Sequence, residues 1–474
     1  MPGIPKDFPI RTFEKYTGLA LPRHVSYPMP TAWSDKDGED FSLHLAQSGR
    51  DNPERGISLY LHVPFCEALC KFCACNRTIL KKTLADASRR KRAFLEAVSA
   101  EIETLAKIPG TDRPVRQIHW GGGSPTYLEP EEIREIHDRI ETAFNSSPGV
   151  EIAMEMDPRT ATDQHLEVMA QLGFNRVSIG IQDFDQAVQE HVHRIQSFEM
   201  VGDFTEKVRR RGLGHVNYDL IYGMPYQTQE TVRDMVAKTI QLGPDRIAFY
   251  HYAQIPEKIA TQRGMDYTRL PSSIEKLAMF LKAIELFQEA GYEFIGLDHF
   301  ALPHDELVVA RDAGTIQRNF QGMTTHRGLD LLGIGVSSIS HLPGIGCWQN
   351  EKEIEPYQVR AAAGVLPRTR GIHFSEDDRI RQAVLSDLYC YGEIDLAEVA
   401  NRFEIDPFGY FEREISALRE LAEDGLVEFD SELEVRATMP LGRVLLRNVG
   451  AVFDSYLDPD AYKVGDKYYY SVSA

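Results

Sequence analysis

From residue 57 onward the chain alternates strand-like apolar runs with segments of helical period, and this alternation limits the fold more than any other feature. The strand-like runs fall at residues 57–63, 115–120, 151–156, 176–181, 215–221, 246–252 and 293–297. Amphipathic stretches such as 85–105, 130–144, 227–242 and 274–290 lie between them. Neighbouring parallel strands need a crossover, which a helix supplies, so strict alternation predicts a parallel sheet with covering helices. Polar motifs follow nearly every strand at its C-terminal end. That is where βα-barrels place their chemistry, so a partial barrel is expected over a doubly wound sheet.

The first strand end is the most telling. Cys66-Glu-Ala-Leu-Cys70-Lys-Phe-Cys73 places three thiols at spacings of four and three on one loop, and Cys75 follows at once. Thiols so close can converge on one inorganic cluster, and three thiolates around about four irons leave one iron without a protein ligand. An open iron is a place for chemistry. Structural zinc, the alternative, usually takes two Cys/His pairs from separate segments and closes all four positions, and no second such pair occurs here. Cys347 and Cys390 read as small buried hydrophobes.

The later strand ends carry a consistent set. Gly121-Gly122-Gly123-Ser124-Pro125-Thr126 follows the second strand, and glycines let the backbone approach a ligand closely. Glu155-Met-Asp157-Pro158, Gly180-Ile-Gln182-Asp183-Phe184, Asp219-Leu-Ile-Tyr222-Gly223-Met-Pro225 and Tyr252-Ala253 end the next four. Any one carboxylate here could be a helix cap. Together on one rim, Asp and Glu suit ribose hydroxyls and Gln suits polar ligand groups.

The cysteine spacing, with Phe72 before the third cysteine, resembles the signature of radical S-adenosylmethionine (SAM) enzymes. The segments Tyr60-Leu-His-Val-Pro-Phe-Cys66, Phe72-Cys73-Ala-Cys75-Asn76, His119-Trp-Gly-Gly-Gly-Ser-Pro-Thr-Tyr127, Ile181-Gln-Asp-Phe184, Arg318-Asn-Phe-Gln-Gly322 and Leu331-Leu-Gly-Ile-Gly-Val-Ser337 are similar to the oxygen-independent coproporphyrinogen III oxidase (HemN) family within that superfamily. The resemblance runs from about residue 15 to residue 457. It implies a partial (β/α)6 radical SAM barrel with an N-terminal arm and a C-terminal winged-helix-like helical domain. It also implies a [4Fe-4S] cluster, two SAM molecules, and decarboxylation of two propionates of coproporphyrinogen III to vinyl groups in haem synthesis.

Carried over by position, the resemblance gives Cys66, Cys70 and Cys73 to the cluster. Tyr60, Gly122, Glu155 and Ile339 would line the first SAM; Phe72, Cys75, Gly123, Ser124, Gln182, Arg194, Asp219 and Ala253 would line the second. Arg194 also has a physical case, since a guanidinium fork matches the SAM carboxylate. The substrate brings four carboxylates, so Arg23 and Arg318 are the candidates for pairing with propionates, with Tyr27 beside them on the arm. The chain departs from the family pattern at His24-Val25, Ala74 and Met323. None of these is an expected cluster ligand, so the departures bear on substrate identity. Radical methyl or methylene transfer, modification of haem, or a haem carrier are the alternatives.

Composition fits a soluble enzyme. Lys and Arg number 52 against 71 Asp and Glu, a net charge of −19, which opposes a nucleic-acid partner. No apolar run reaches a membrane span and the N-terminus lacks the features of a secretion signal, so a cytoplasmic location is expected. With no coiled coil or obvious exposed stripe a monomer is expected, and the resemblance implies a low-potential electron donor. Residues 1–55 read as an arm near the active site, 56–370 as the barrel and its extension, and 371–474 as the helical unit. In that unit, helices at 377–391, 396–403 and 408–423 precede a hairpin. Its third helix carries Glu412, Glu414, Glu420 and Glu423, the wrong sign for DNA, so it reads as a lid or packing domain.

Overall fold

The computed structural model describes residues 4–35, 38 and 40–464; the Tyr468–Tyr470 run, for which the sequence suggests no role, lies outside them. Six parallel strands form the centre: β1 (Ile57–Val63), β2 (Pro114–Gly122), β3 (Asn145–Met156), β4 (Arg176–Gln182), β5 (His215–Tyr222) and β6 (Arg246–His251). They pair in chain order, with helices between them such as Ala87–Leu105, Pro130–Ala143 and Gln229–Leu242. This is the partial (β/α)6 barrel expected.

The burial pattern explains how the strands present chemistry inward. In β5, Val216, Tyr218, Leu220 and Tyr222 are buried under the helices, while the alternate positions Asn217 and Asp219 line the barrel interior. A strand repeats every two residues, so one side packs and the other carries polar groups. β1 is buried almost throughout, as a central strand covered on both faces should be.

Both edges of the sheet depart from simple alternation. On the β1 side Asp330–Ile334 adds a seventh parallel strand, and Ile339–Leu342, Gly346–Asn350 and Arg368–His373 continue it antiparallel. On the β6 side the expected strand 293–297 is Glu293–Gly296, an edge strand pairing antiparallel with His299–Ala301, which itself runs antiparallel to β6. Short apolar runs look alike in sequence whichever way they pair, so direction was not readable there.

A buried ion pair fastens the extension to the barrel. Glu101, on helix Ala87–Leu105, accepts from Gly335 N (2.8 Å), Asn350 Nδ2 (2.8 Å), Tyr357 Oη (2.7 Å) and Arg368 Nη1 (2.6 Å). Both charged side chains are essentially inaccessible to solvent.

The C-terminal unit has its own core, and the arm is part of it. Phe13, Tyr16, Leu21 and Tyr27 pack with Val384, Leu388, Leu418, Val449 and Phe453. His24 is buried between Tyr389 Oη and Asp454 Oδ2, 2.9 Å from each, so this departure from the family pattern ties the arm down. Helices Glu376–Tyr391 and Leu396–Phe403 stand close to their expected bounds. The third expected helix breaks at Phe411 into Pro407–Tyr410 and Glu412–Glu423, where Asp406 caps Phe408 N and Gly409 N and starts a separate turn. A three-stranded sheet (Glu393–Asp395, Glu434–Ala437, Val427–Phe429) completes the wing.

Candidate active site

Beyond β1 the chain makes a closed loop. Thr78 N donates to Pro64 O (2.7 Å) and Leu80 N to Cys66 O (2.9 Å), holding the loop ends together, while Lys71 N reaches Val192 O (3.0 Å) across the barrel mouth. A turn joins Cys73 N to Cys70 O (3.2 Å). The three cysteines so placed line one cavity of about 390 Å³ at the C-terminal ends of the strands, and all six cysteines of the chain are free thiols.

Positive charge gathers around Cys70. Arg159 Nη2 and Arg194 Nη1 each lie 3.7 Å from its sulfur, and both pair with Asp157, at 2.6 and 3.1 Å from Oδ2. Burial works against ionising Asp157, yet Arg194 and Arg159 hold its carboxyl below the usual range. The thiols differ among themselves. A hydrogen bond from Cys75 pulls Cys73 down to about 6, against the effect of burial and with help from Arg77 and Arg194. Burial pushes Cys66 up to about 12. Guanidinium groups beside sulfur stabilise its anionic form.

The glycine run lets the second strand end close over this loop. A Cβ on Gly123 would lie 2.7 Å from the Pro64 carbonyl oxygen, so only glycine permits the approach; Gly122 adopts φ +116°. Glu155 Oε2 accepts from Gly122 N (3.1 Å) and its Oε1 meets His119 Nε2 (3.2 Å). Asp219 accepts from Ser178 Oγ and Asn217 Nδ2, both at 3.0 Å; burial, then the neighbouring Glu155 charge, pushes its carboxyl up to about 6. Gln182 sits at φ +72°, a strained setting for a side chain other than glycine and one that recurs at functional sites.

Of the residues singled out in the sequence, Cys66, Cys70, Cys73, Phe72, Cys75, Gly122, Gly123, Ser124, Glu155, Gln182, Arg194 and Asp219 line this single cavity. Three stand outside its lining. Tyr60 stacks on His119 behind Glu155, and Ala253 is linked to Phe72 because Gln262 Nε2 donates to both carbonyls (2.9 and 3.0 Å). Ile339 lies on the sheet extension against Trp33 and Phe320. The substrate candidates do not share one cavity, although Arg23 and Arg318 both face Asp298, at 3.8 and 3.7 Å. Arg23 Nη2 donates to His251 O (2.8 Å) at the end of β6, whereas Tyr27 and Arg318 line a different cavity, and Tyr27 Oη is engaged by Ser455 Oγ (2.8 Å). Sequence reasoning missed Arg159 and grouped Asp157 with the rim acids suited to ribose hydroxyls, whereas its carboxylate is taken up by Arg159 and Arg194. An arginine two residues beyond a strand-end acid was the available signal.

The residues fit a cluster and an anionic chelate. Three unbridged thiols on one loop supply soft donors, two guanidiniums offset negative charge, and Arg194 Nε is buried without a hydrogen-bond partner.

Comparison with known proteins agrees. Residues 60–238 match the radical SAM superfamily model. The oxygen-independent coproporphyrinogen III oxidase of Pseudomonas aeruginosa is 38% identical over 444 residues, 93% of this chain and 94% of that protein. The enzyme of that name from Escherichia coli K12 is 37% identical over 453 residues, covering 95% and 96%. The solved structure of Escherichia coli coproporphyrinogen III oxidase (HemN), described as a radical SAM enzyme, superposes with a TM-score of 0.85 over 93% of this chain and 100% of that one. Likeness of this extent, over arm, barrel and C-terminal unit alike, places the chain in the oxygen-independent coproporphyrinogen III oxidase family of the radical SAM superfamily.

Proposed function

We propose that this chain converts two propionate side chains of coproporphyrinogen III to vinyl groups with loss of carbon dioxide, giving protoporphyrinogen IX without molecular oxygen. The observation that carries the reading is the convergence of Cys66, Cys70 and Cys73 with the strand-end residues in one cavity, in a chain alignable over nearly its full length with oxidases of that name.

The reaction must break an unactivated C–H bond beside a propionate, which no side-chain acid or base has the driving force to do. A [4Fe-4S] cluster and SAM, when bound, supply the carbon radical that can. The chain's own residues do the rest. Cys66, Cys70 and Cys73 would hold the cluster, three protein ligands for about four irons. Arg159 and Arg194 would offset its charge, and the unpartnered Arg194 Nε would be available to a SAM carboxylate. Gly122 and Gly123 bring backbone against the ligand, while Glu155 and Asp219 offer carboxylate oxygens to hydroxyl or ammonium groups. The cavity is walled by the strand ends, and its lining takes in the residues expected at both SAM positions. A second SAM would lie beside the first, against Gln182, Arg194 and Asp219.

For each propionate a low-potential donor would supply one electron to cleave SAM, the deoxyadenosyl radical would take one hydrogen atom, and the electron lost as carbon dioxide leaves would pass to an acceptor. A cytoplasmic monomer is the working form proposed. Among the described residues no helix is long and apolar enough to cross a membrane. The test is an anaerobic assay with reconstituted protein, SAM, a low-potential reductant and coproporphyrinogen III. Stepwise loss of two carboxyl groups with matching 5′-deoxyadenosine is the expected result. Deoxyadenosine without decarboxylation would retain the radical chemistry and refute the substrate.

A further inference from the structure

A second large cavity, of about 360 Å³, lies away from the cysteine loop, between the arm, the hairpin Gln317–Asn319/Gly322–Thr324 and helix Glu376–Tyr391. Its lining includes Arg55, Arg318, Arg327, Arg379 and Arg402 and, among the described residues, no aspartate or glutamate. In a chain of net charge −19 this is a reversal of sign, and a concave wall of one sign focuses the field on whatever enters.

Not all five arginines are committed to the fold. Arg55 is, through Asp330 at 3.3 Å, and Arg327 Nη1 donates to the Gly314 carbonyl (3.1 Å). Arg379 and Arg402 are exposed at the rim. Arg318 is the unusual one: its side chain is only 6% exposed, yet Nε and Nη1 have no hydrogen-bond partner. The nearest acid, Asp298, lies 3.7 Å from Nη1 but also faces Arg23 at 3.8 Å and His299 at 2.8 Å. One carboxylate is thus spread over three basic groups, and a buried guanidinium left short of acceptors is costly unless a ligand supplies them.

Between the arginines the lining mixes apolar and aromatic side chains, Phe320, Pro343, Leu385, Tyr389 and Phe403, with neutral hydrogen-bonding ones such as Ser26, Gln317, Gln382 and Ser386. Arginines spread around a wall that also offers Phe320, Leu385 and Phe403 suit a broad body with apolar faces and several carboxylates better than a compact phosphate. Asn319 lines both this cavity and the barrel interior, which in turn shares Glu155, Ser178 and Asp219 with the cysteine cavity.

We propose that this cavity is a second anion-binding site, distinct from the cysteine cavity, that takes a carboxylate-bearing tetrapyrrole, with Arg318 as its inner contact and Arg327, Arg379 and Arg402 as its rim. The choice of a tetrapyrrole rests on the proposed function; the anion site does not.

The test is a fluorescence titration of the cluster-reconstituted full chain with coproporphyrin III, the unreactive oxidised form, with its tetramethyl ester as the uncharged control. Benzene-1,2,4,5-tetracarboxylate, scored by calorimetry, is the carboxylate without a macrocycle. Coproporphyrin is expected to bind, the ester to bind weakly, and the rim variant Arg327→Gln/Arg379→Gln, which changes no deeply buried side chain, to weaken binding about tenfold or more with a shallower salt dependence. Arg318→Gln should do the same if it folds. Coproporphyrin binding that is unchanged in the rim variant overturns the proposal. Benzenetetracarboxylate binding that depends on the arginines, with no coproporphyrin binding, overturns the tetrapyrrole and keeps the anion site. Binding of neither, in protein that still decarboxylates coproporphyrinogen, overturns the site and leaves the proposed function standing.

Discussion

Replacing Asp157 by Asn should raise the reduction potential of the cluster held by Cys66, Cys70 and Cys73. Asp157 Oδ2 lies 3.1 Å from Arg194 Nη1, which lies 3.7 Å from Cys70 Sγ. The carboxylate charge therefore acts on that sulfur across at most ~7 Å. At an effective dielectric constant of about 20, one unit charge at that distance is worth about 2.4 kcal/mol, or about 100 mV for a one-electron couple. Asparagine keeps the shape and removes the charge, leaving two guanidiniums uncompensated beside the sulfur, so the reduced cluster is favoured. The assay is an anaerobic redox titration of reconstituted protein without SAM, followed by the visible absorption and the paramagnetic signal of the reduced cluster. Arg159→Gln, which removes a positive charge 3.7 Å from the same sulfur, should move the potential downward. An Asp157→Asn shift within error of zero, or a downward one, would refute the claim that these three residues act on the cluster through their charge.

Gly123→Ala should lower iron content without loss of helical signal, because the new Cβ meets Pro64 O at 2.7 Å and must push the cysteine loop aside; full iron occupancy would contradict this. Cys75→Ala should keep about four irons per chain while Cys70→Ala does not, and iron analysis of both decides whether Cys75 is a ligand. Glu101→Gln should cost about 3–5 kcal/mol in urea unfolding, since it leaves the inaccessible Arg368 without its counter-charge; a loss under about 1 kcal/mol would mean the hydrogen bonds alone suffice. Asp219 binds its proton more readily folded than unfolded, so it makes the fold lose stability as pH rises from about 4 to about 6. Asp219→Asn should flatten that stretch of the urea midpoint against pH, measured without SAM, and identical profiles would show that Asp219 is not the group.

The six central strands and their covering helices were legible because alternation repeats the same local pattern many times, and each repeat supports the others. The edges were not, since Asp330–Ile334 and Glu293–Gly296 are short apolar runs whose partners lie far away in sequence. The cysteine loop and most strand-end residues announced themselves by spacing. Arg159 did not, because only its place opposite Cys70 in space gives it meaning. Arg318 drew notice by its charge, but the sequence could not tell that it would face Arg327, Arg379 and Arg402 around a cavity apart from the cysteines. That juxtaposition depends on how the arm, hairpin and last helices pack, which no local pattern encodes.

The shared core of the arm and the C-terminal helices also sets an order of assembly. Phe13, Tyr16 and Leu21 leave the ribosome before the barrel strands, yet the side chains they pack with, such as Leu418, Val449 and Phe453, leave it after them. The barrel strands are all made in the interval. Until the C-terminal helices emerge, the arm lacks the apolar surface it closes on, and Arg23 has no settled seat against the His251 carbonyl at the barrel mouth. The nascent chain is therefore a barrel whose arm and C-terminal helices are still unjoined, and deleting residues 4–21 would leave the same seam open.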